Sequence, residues 1–274
     1  MNKYAPIGIF DSGYGGLTIL AEIKKQLPQY DYLYLGDNAR SPYGTRSFDV
    51  VYEYTLEAVN ELFSRGCELV ILACNTASAK ALRTIQQQDL LKIDSNKRVL
   101  GVIRPSVEEL GSITKTGNVG ILATEGTVRS ESYILELDKY APNVNVFQQA
   151  CPMWVPIIEN QKHQTEAGRL FIEEDVKALL NQNPEIDTIL LGCTHYPIIE
   201  AFISTLVGPN IRIVAQGSLV ANKLEDYLKR HTELEQVCSK SGDVTYLTTE
   251  NKDVFNRKAS HFLGENISSI HVKI

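Results

Sequence analysis

Two cysteines carry the clearest chemical signal in the sequence. Cys74 follows the apolar run 69–73, Cys193 lies just beyond the apolar run 189–191, and small polar residues follow both. In a doubly wound sheet the carboxyl ends of the strands open into the ligand crevice. We therefore expect both thiols to be partly exposed, near helix N-termini that favour a thiolate. Two thiols at matching positions indicate acid–base chemistry.

Other interpretations of this pair stay open at the level of the residues. A free cysteine is most often a small buried hydrophobe. A redox pair has no support from spacing, because the five cysteines form no CxxC motif. A metal site would need more Cys and His at ligand spacing. Of the other thiols, Cys67 is predicted to pack beneath a strand, Cys151 to lie in an apolar, proline-rich segment, and Cys238 to be exposed among polar neighbours.

A carboxylate follows the first predicted strand, in the turn Asp11-Ser12-Gly13-Tyr14-Gly15-Gly16. The turn matches neither GxGxxG nor GxxxxGK, and an Asp at the strand end would repel phosphate. The carboxylate instead suits orienting or deprotonating a neighbouring thiol, or receiving an ammonium group. A tight turn whose Asp caps a helix is the alternative.

Further polar residues are expected at the same edge. His195 stands two residues after Cys193, so it can face the crevice and shuttle a proton, with Glu159 as its carboxylate partner. A structural histidine and a surface glutamate are the alternatives. The loop 36–44 is rich in turn residues at a strand end, where loops often carry function, although a plain turn has the same composition.

Short apolar runs alternate with helical patterns along the chain, which predicts mainly parallel sheets with right-handed crossovers. Predicted strands are 7–10, 32–35, 69–73, 99–102, 119–123, 144–147, 188–191, 211–214, 244–247 and a last one near residue 270. Predicted helices are 47–65, 165–180, one from residue 218, and 254–263. In the first of these helices, Ser47 is the expected cap, Gly66 the terminator, and the apolar face is Val51, Tyr54, Ala58, Val59, Leu62 and Phe63.

A weak internal repeat indicates two similar halves. The segment 7–13 resembles 119–126, and 71–76 resembles 190–195, so each half has a strand that leads into a cysteine-containing turn. We predict an α/β fold of two pseudo-symmetric, doubly wound domains that face a central cleft. The first domain comprises residues 1–98 plus 214–274, and the second comprises residues 99–213.

Composition narrows the class of protein. The chain has 274 residues, 43% of them hydrophobic and 22% charged, which is typical of a folded globular protein and excludes overall disorder. A net charge of −6 argues against nucleic-acid binding through a basic face. No apolar run approaches the ~18 residues of a membrane span, and the start of the chain lacks the pattern of a secretory signal. We expect free thiols, a reducing compartment and a cytoplasmic location.

Taken together, the motifs resemble those of the glutamate racemases, which belong to the cofactor-independent aspartate/glutamate racemase family. The similarity extends from about residue 5 to the end of the chain. The motifs that carry it are Phe10-Asp11-Ser12-Gly13-x-Gly15-Gly16-Leu17-Thr18, Pro42-Tyr43-Gly44, Ala73-Cys74-Asn75-Thr76-Ala77 and Gly192-Cys193-Thr194-His195-Tyr196-Pro197.

The resemblance implies interconversion of L- and D-glutamate in the cytoplasm by a homodimer, supplying D-glutamate for peptidoglycan, with no cofactor and no metal. It implies that Cys74 and Cys193 are the two acid–base residues, with Asp11 assisting Cys74, and His195 and Glu159 assisting Cys193. Matching substrate-contacting positions are Asp11, Ser12, Tyr43, Gly44, Asn75, Thr76, Thr124, Thr127, Thr194 and His195.

Chemistry supports the need for two cysteines. Racemisation removes the α-proton from one face of a planar, carbanion-like intermediate and returns a proton to the other face. A thiol with a free pKa near ~8.5 needs only modest tuning to act as the base. Hydrogen bonds from Asn75, Thr76, Thr194 and backbone amides to the substrate carboxylate must stabilise the developing charge in a closed, dry cleft.

The chain departs from the family pattern at two positions, and three alternative functions stay open. Arg104 stands where relatives commonly have Glu, and Asn38 where Thr is common. The Arg could alter cleft electrostatics, oligomer contacts or regulation. The alternative functions are an aspartate racemase, a non-catalytic amino-acid-binding or redox-sensing protein, and a metal-dependent enzyme.

Overall fold

A computed structural model describes residues 5–274, and this part of the chain contains ten strands. The strands are β1 (Ile7–Asp11), β2 (Tyr32–Gly36), β3 (Leu69–Leu72), β4 (Arg98–Gly101), β5 (Asn118–Ala123), β6 (Asn145–Ala150), β7 (Thr188–Gly192), β8 (Arg212–Val214), β9 (Val244–Thr248) and β10 (Ser269–His271). Every strand predicted from the sequence is therefore present, with bounds that differ by a few residues.

Helices connect the strands. They are α1 (Gly16–Gln26), α2 (Phe48–Ser64), α3 (Asn75–Lys80), α4 (Leu82–Thr84), α5 (Leu90–Ile93), α6 (Ile103–Ile113), α7 (Glu125–Arg129), α8 (Ser132–Tyr140), α9 (Trp154–Glu159), α10 (Glu166–Gln182), α11 (Glu200–Val207), α12 (Gly217–Arg230), α13 (Thr232–Val237) and α14 (Lys252–Leu263). Within residues 5–274, no helix has the length and apolar character needed to cross a bilayer.

The strands form two sheets, and every strand pair in them is parallel. The first sheet has the order β10-β9-β2-β1-β3-β4, and the second has the order β6-β5-β7-β8. The block β2-β1-β3-β4 of the first sheet thus has the same arrangement as the whole second sheet. This correspondence confirms the predicted fold class and gives the weak sequence repeat a structural basis.

Apolar side chains cover both faces of each sheet, as parallel sheets require. In β3, for example, all four residues are buried, and Leu69 and Ile71 pack on one face while Val70 and Leu72 pack on the other. Two further clusters enclose the second sheet in the same way, one against α10 and the other against α6 and α8. The sheets are therefore rigid platforms, and their loops carry the polar residues.

Some local predictions need correction. Thr55 also belongs to the fully buried face of α2, whereas Tyr54 is only partly buried: its ring packs against the same apolar cluster and also lies 4.1 Å from the guanidinium of Arg40. Ser47 occupies the cap position but makes no side-chain cap bond. Cys238 was predicted to be exposed and is only 6% exposed, because it follows α13 on the same side as Leu234 and packs into the core. The burial of Cys67 is confirmed.

The chain passes between the two sheets twice. The first crossing follows β4, which pairs with β3 in the first sheet, and leads into α6, which packs against the second sheet. The second crossing follows β8 and leads into α12, which packs on the first sheet. The predicted division into residues 1–98 plus 214–274 and residues 99–213 stays a prediction; β4, which begins at that boundary, pairs with β3 in the first sheet.

Candidate active site

The two cysteines line the same cleft, one from each sheet. Cys74 follows β3 and Cys193 follows β7, and these strands hold corresponding places beside β1 and β5. Both thiols are buried, with 6% and 5% exposure, rather than partly exposed as predicted. The difference arises because loops from both halves close over the strand ends. Of the residues predicted for the site, those that line the cleft are Asp11, Ser12, Tyr43, Gly44, Cys74, Asn75, Thr76, Thr124, Cys193, Thr194 and His195.

The Cys74 sulfur lies at the beginning of a short helix, within reach of a hydroxyl. It accepts a hydrogen bond from the Ala77 backbone N–H at 3.4 Å, and the Ser12 hydroxyl oxygen lies 3.3 Å away. Burial and the charge of Asp11 raise the pKa of the Cys74 thiol to about 12, against the smaller effect of these two contacts. Burial thus outweighs the helix terminus, and the raised pKa of Cys74 corrects the expectation that the terminus would favour a thiolate there.

Asp11 is held by the turn that follows β1. Its Oδ2 accepts a hydrogen bond from the Gly13 N–H at 2.9 Å, and its side chain is almost fully buried. Burial raises the pKa of the Asp11 carboxyl, while the nearby His195 and the backbone N–H groups of Gly13 and Gly16 oppose that rise. The charge of Asp11 therefore interacts with both Cys74 and His195.

A chain of three groups lies on the opposite side of the cleft. His195 Nδ1 lies 3.9 Å from the Cys193 sulfur, and His195 Nε2 lies 2.9 Å from Glu159 Oε1. Burial alone would lower the pKa of His195, but its bonds to Cys193 and Glu159 raise it to about 10. The imidazole is therefore protonated at neutral pH and can give a proton to a Cys193 thiolate; once neutral, it can take a proton back. Glu159 does not itself line the cleft and lies behind the imidazole.

The glycine-rich turn after β1 approaches this chain closely. A Cβ atom at Gly15 would lie 2.4 Å from both His195 Nδ1 and Thr194 Oγ1, distances at which something must shift. Thr18, in α1, donates a hydrogen bond to the Thr194 carbonyl at 2.9 Å. Glycine at this position thus allows the turn of the first half to pack against the histidine of the second half.

Hydroxyl groups connect the two halves at the other end of the cleft. Thr76 Oγ1 and Thr124 Oγ1 lie 3.0 Å apart, and Thr124 Oγ1 donates to Thr127 Oγ1 at 3.0 Å. The Gly126 N–H donates to the Gly44 carbonyl at 2.8 Å. Thr127 is completely buried and does not line the cleft. Instead of contacting the substrate as predicted, it holds Thr124 in place through the hydrogen bond between their hydroxyl groups.

Sequence reasoning missed part of the cleft wall. The additional lining residues are Thr45, Glu125, Cys151, Pro152, Val155 and Pro156, together with Ser41 and Pro42 from the loop 36–44, which was predicted at this edge without these residues being assigned to the site. Three of these flank the Tyr43-Gly44 pair, and four follow the carboxyl end of β6. The carboxyl ends of neighbouring parallel strands lie at the same edge of a sheet, so the residues that follow β6 could have been predicted to line the cleft.

The two departures from the family pattern lie outside the cleft lining. Arg104 is half exposed on α6, where its Nε donates to Glu136 on α8 at 2.9 Å and its guanidinium lies over the Tyr140 ring. Asn38 Oδ1 accepts a hydrogen bond from the Thr248 hydroxyl at 3.1 Å. Both residues therefore make contacts between structural elements. In the described part of the chain, no group of three or more His, Cys, Asp or Glu residues is arranged to hold a metal ion.

Comparison with known proteins agrees with this architecture. A family model described as Asp/Glu/Hydantoin racemase matches residues 15–260. The glutamate racemase of Ruegeria pomeroyi is 40% identical over 272 residues, which cover 96% of this chain and 98% of that protein. The crystal structure of a Bacillus anthracis glutamate racemase, isoform RacE1, has a TM-score of 0.86 at 32% identity and covers 99% of this chain and 98% of its own.

A second solved structure was determined with an amino acid bound. It is the glutamate racemase of Francisella tularensis in complex with D-glutamate, with a TM-score of 0.85 at 28% identity, covering 100% of this chain and 98% of its own. These relatives match the chain over nearly its whole length, and the family resemblance of the sequence motifs is confirmed. The chain therefore belongs to the Asp/Glu/Hydantoin racemase family.

Proposed function

We propose that this protein interconverts L- and D-glutamate by proton transfer between two cysteines on opposite sides of the substrate. One observation carries the proposal: Cys74 and Cys193 come from equivalent strands of two sheets and line a single cleft. Similarity to glutamate racemases over nearly the whole chain supports glutamate as the substrate. We further propose that the enzyme uses no cofactor, is a cytoplasmic homodimer that binds neither nucleic acid nor membrane, and supplies D-glutamate for peptidoglycan.

The proposed reaction needs one sulfur as a thiolate and the other as a thiol. The thiolate takes the α-proton from one face, which breaks the Cα–H bond and leaves its electron pair on a planar, carbanion-like intermediate. The opposite thiol then gives its proton to the other face and becomes the thiolate. One proton is lost from the substrate and one is gained, so the two sulfurs exchange roles and the reverse reaction follows the same path.

The substrate itself changes the charge of the cleft. Because burial and Asp11 raise the pKa of the Cys74 thiol, an added positive charge nearby is needed before it can act as the base. The α-ammonium group of an amino acid supplies that charge, and the Asp11 carboxylate is a suitable partner for it. On the other side, His195 can exchange protons with Cys193 between turnovers.

Hydrogen-bond donors must stabilise the carbanion-like intermediate. The α-proton of an amino acid is far less acidic than a thiol, so the charge that develops toward the α-carboxylate needs preorganised donors. Asn75, Thr76 and Thr194 line the cleft next to the two cysteines. Asn75 and Thr194 are the proposed side-chain donors, because the Thr76 hydroxyl proton points to Thr124 Oγ1, which itself donates to Thr127. Because these donors are buried, water does not compete with the substrate for their hydrogen bonds.

A racemisation assay tests the proposal. Purified, reduced protein without added pyridoxal phosphate is given L-glutamate, D-glutamate or L-aspartate, and circular dichroism follows the loss of optical activity. We expect both glutamate enantiomers to converge on the racemate, faster than aspartate changes and equally fast with a chelator present.

Three other results would contradict the proposal in different ways. Faster turnover of aspartate would keep the mechanism and replace the substrate. Activity that disappears with chelator would indicate a metal-dependent enzyme. Glutamate binding in a calorimeter without any turnover would indicate a binding or sensing protein.

A further inference from the structure

One buried side chain touches both crossings between the two sheets. Gln216 lies in the second crossing, just before α12, and is only 2% exposed. Its Nε2 donates to the backbone carbonyl of Val102 in the first crossing at 3.1 Å. The same nitrogen lies 2.8 Å from the Ser106 hydroxyl in α6. A single carboxamide thus ties together the two connections on which the relative placement of the sheets depends.

The same carboxamide also reaches a residue that lines the cleft. Gln216 Oε1 accepts a hydrogen bond from Asn75 Nδ2 at 2.6 Å. The Tyr133 hydroxyl accepts from Gln216 Nε2 at 3.0 Å and donates to Asn75 Oδ1 at 2.8 Å. Gln216, Asn75 and Tyr133 therefore form a closed ring of three hydrogen bonds, and none of them is more than 2% exposed.

This ring fixes which way round the Asn75 amide lies. An asparagine can rotate its amide so that either the oxygen or the nitrogen faces a ligand. Here the oxygen receives a donor and the nitrogen meets an acceptor, and the flipped amide would place the Asn75 oxygen against Gln216 Oε1, where neither atom carries a proton. Gln216 cannot turn to relieve this, because its Nε2 donates to the Val102 carbonyl. The second N–H of Asn75 stays available as a donor. Buried networks whose members are all satisfied hold their side chains in one arrangement.

We propose that Gln216, together with Tyr133, is a positioning residue that holds Asn75 as a hydrogen-bond donor to the substrate carboxylate. Through Val102, the same contacts link the placement of the two halves to the orientation of that donor. The inference rests on the proposed function, because Asn75 acts on a substrate only if the cleft binds an amino acid.

Three variants of the full-length protein test the inference. Gln216→Leu removes both polar ends of the carboxamide, and Tyr133→Phe removes the donor to Asn75. Tyr32→Phe is the matched control, because Tyr32 is also almost fully buried and its hydroxyl donates to the Leu27 carbonyl at 2.6 Å, at the amino end of β2. KM and kcat for both glutamate enantiomers, Kd for D-glutamate by calorimetry, and Tm are measured for each variant.

We expect Gln216→Leu and Tyr133→Phe to raise KM and Kd about 10- to 100-fold, the range of losses that misplacement of a binding group causes. We expect kcat to fall as well, because Asn75 is a proposed donor to the charge that develops toward the carboxylate during proton transfer. Tyr32→Phe should lower Tm alone. If Gln216→Leu lowers Tm as much as Tyr32→Phe does but leaves KM and Kd at their wild-type values, the inference is wrong.

A double-mutant cycle separates positioning from general damage. In an Asn75→Ala background, Gln216→Leu should have almost no further effect on Kd, because the group it positions is absent. Equal losses in both backgrounds would overturn the inference. The experiments distinguish failure of this inference from failure of the proposed function. If the wild-type protein binds glutamate without turnover, the proposed racemase activity is wrong. The Kd values of the variants still decide the role of Gln216 in that case.

Discussion

Glu159 Oε1 lies 2.9 Å from Nε2 of His195, and this contact orients the imidazole so that its other nitrogen faces the Cys193 sulfur. Lys258 on α14 lies 4.0 Å from the second carboxylate oxygen of Glu159. The two cysteines therefore have different neighbours. Cys74 has a carboxylate and a hydroxyl, whereas Cys193 has a protonated imidazole held by a carboxylate.

The charge of His195 gives a prediction for stability against pH. Its pKa is raised to about 10 in the folded protein, above the ~6.5 of an unfolded histidine. The stability that the charged imidazole contributes is thus fully present below about pH 6.5 and is lost as the pH rises through 10. We expect His195→Asn to reduce the free energy of unfolding by about 2 kcal/mol at pH 6 and by much less at pH 10. Urea unfolding at both pH values measures this, and an equal difference at the two would contradict the assigned charge.

Each single-cysteine variant should keep the proton exchange on one face of the substrate and lose it on the other. Cys74→Ser and Cys193→Ser should each lower kcat/KM by about 10²- to 10⁴-fold, the usual contribution of a positioned acid or base. The loss must be equal for both enantiomers, because the equilibrium constant of a racemisation is one. Each variant should still exchange the α-proton of one enantiomer, and the preferred enantiomer should differ between them.

Proton NMR in D2O measures this exchange. Cys238→Ala is the control, because Cys238 is a buried thiol in the core of the first half, away from the cleft lining. If both serine variants exchange the same enantiomer, the cysteines do not act on opposite faces.

Removal of the Asp11 charge should make Cys74 more reactive toward alkylation. The negative charge of Asp11 is one of the two main causes that raise the Cys74 pKa. In Asp11→Asn the pKa should fall, so a larger fraction of Cys74 is thiolate at pH 9 and iodoacetamide reacts faster. Peptide mapping by mass spectrometry quantifies the labelling of Cys74, with Cys67 as an internal reference. Slower labelling in the variant would show that Asp11 lowers the pKa of the Cys74 thiol instead of raising it.

Gly15 should tolerate no side chain. In Gly15→Ala, the new Cβ would displace His195 or Thr194, and kcat/KM should fall about 100-fold, as expected for a misplaced catalytic group. Gly111→Ala in α6 is the matched control, since its Cβ would make only an ordinary contact with Ala141 at 3.4 Å. That substitution should keep activity and stabilise the helix by about 0.5–1 kcal/mol. Full activity of Gly15→Ala would contradict the close approach of the two halves.

Much of this architecture could be predicted because its causes are local. Apolar runs of strand length gave the two sheets, and the place of Cys74 and Cys193 at strand ends predicted a shared cleft. The pairing of His195 with Glu159 was also anticipated, although they lie far apart in the chain. The main error concerned the burial of side chains. Cys238 has polar sequence neighbours, but its side chain packs into the core.

Other features could not be predicted because they depend on contacts between halves. Gln216 stands in a connection with no motif, and its role appears only where two crossings meet Asn75 and Tyr133. The proline-rich wall at 152–156 likewise belongs to the cleft only because β6 ends beside β5. Sequence periodicity contains no information about such distances.

The central claim is that two groups act on opposite faces of the substrate, and solvent deuterium tests it most directly. Wild-type protein is incubated with L-glutamate in D2O, and both enantiomers are recovered after a small extent of reaction. The account predicts that the D-glutamate formed carries deuterium at Cα while the recovered L-glutamate keeps its proton. Product that retains the original proton, or substrate that gains deuterium as fast as product forms, would contradict a two-cysteine mechanism.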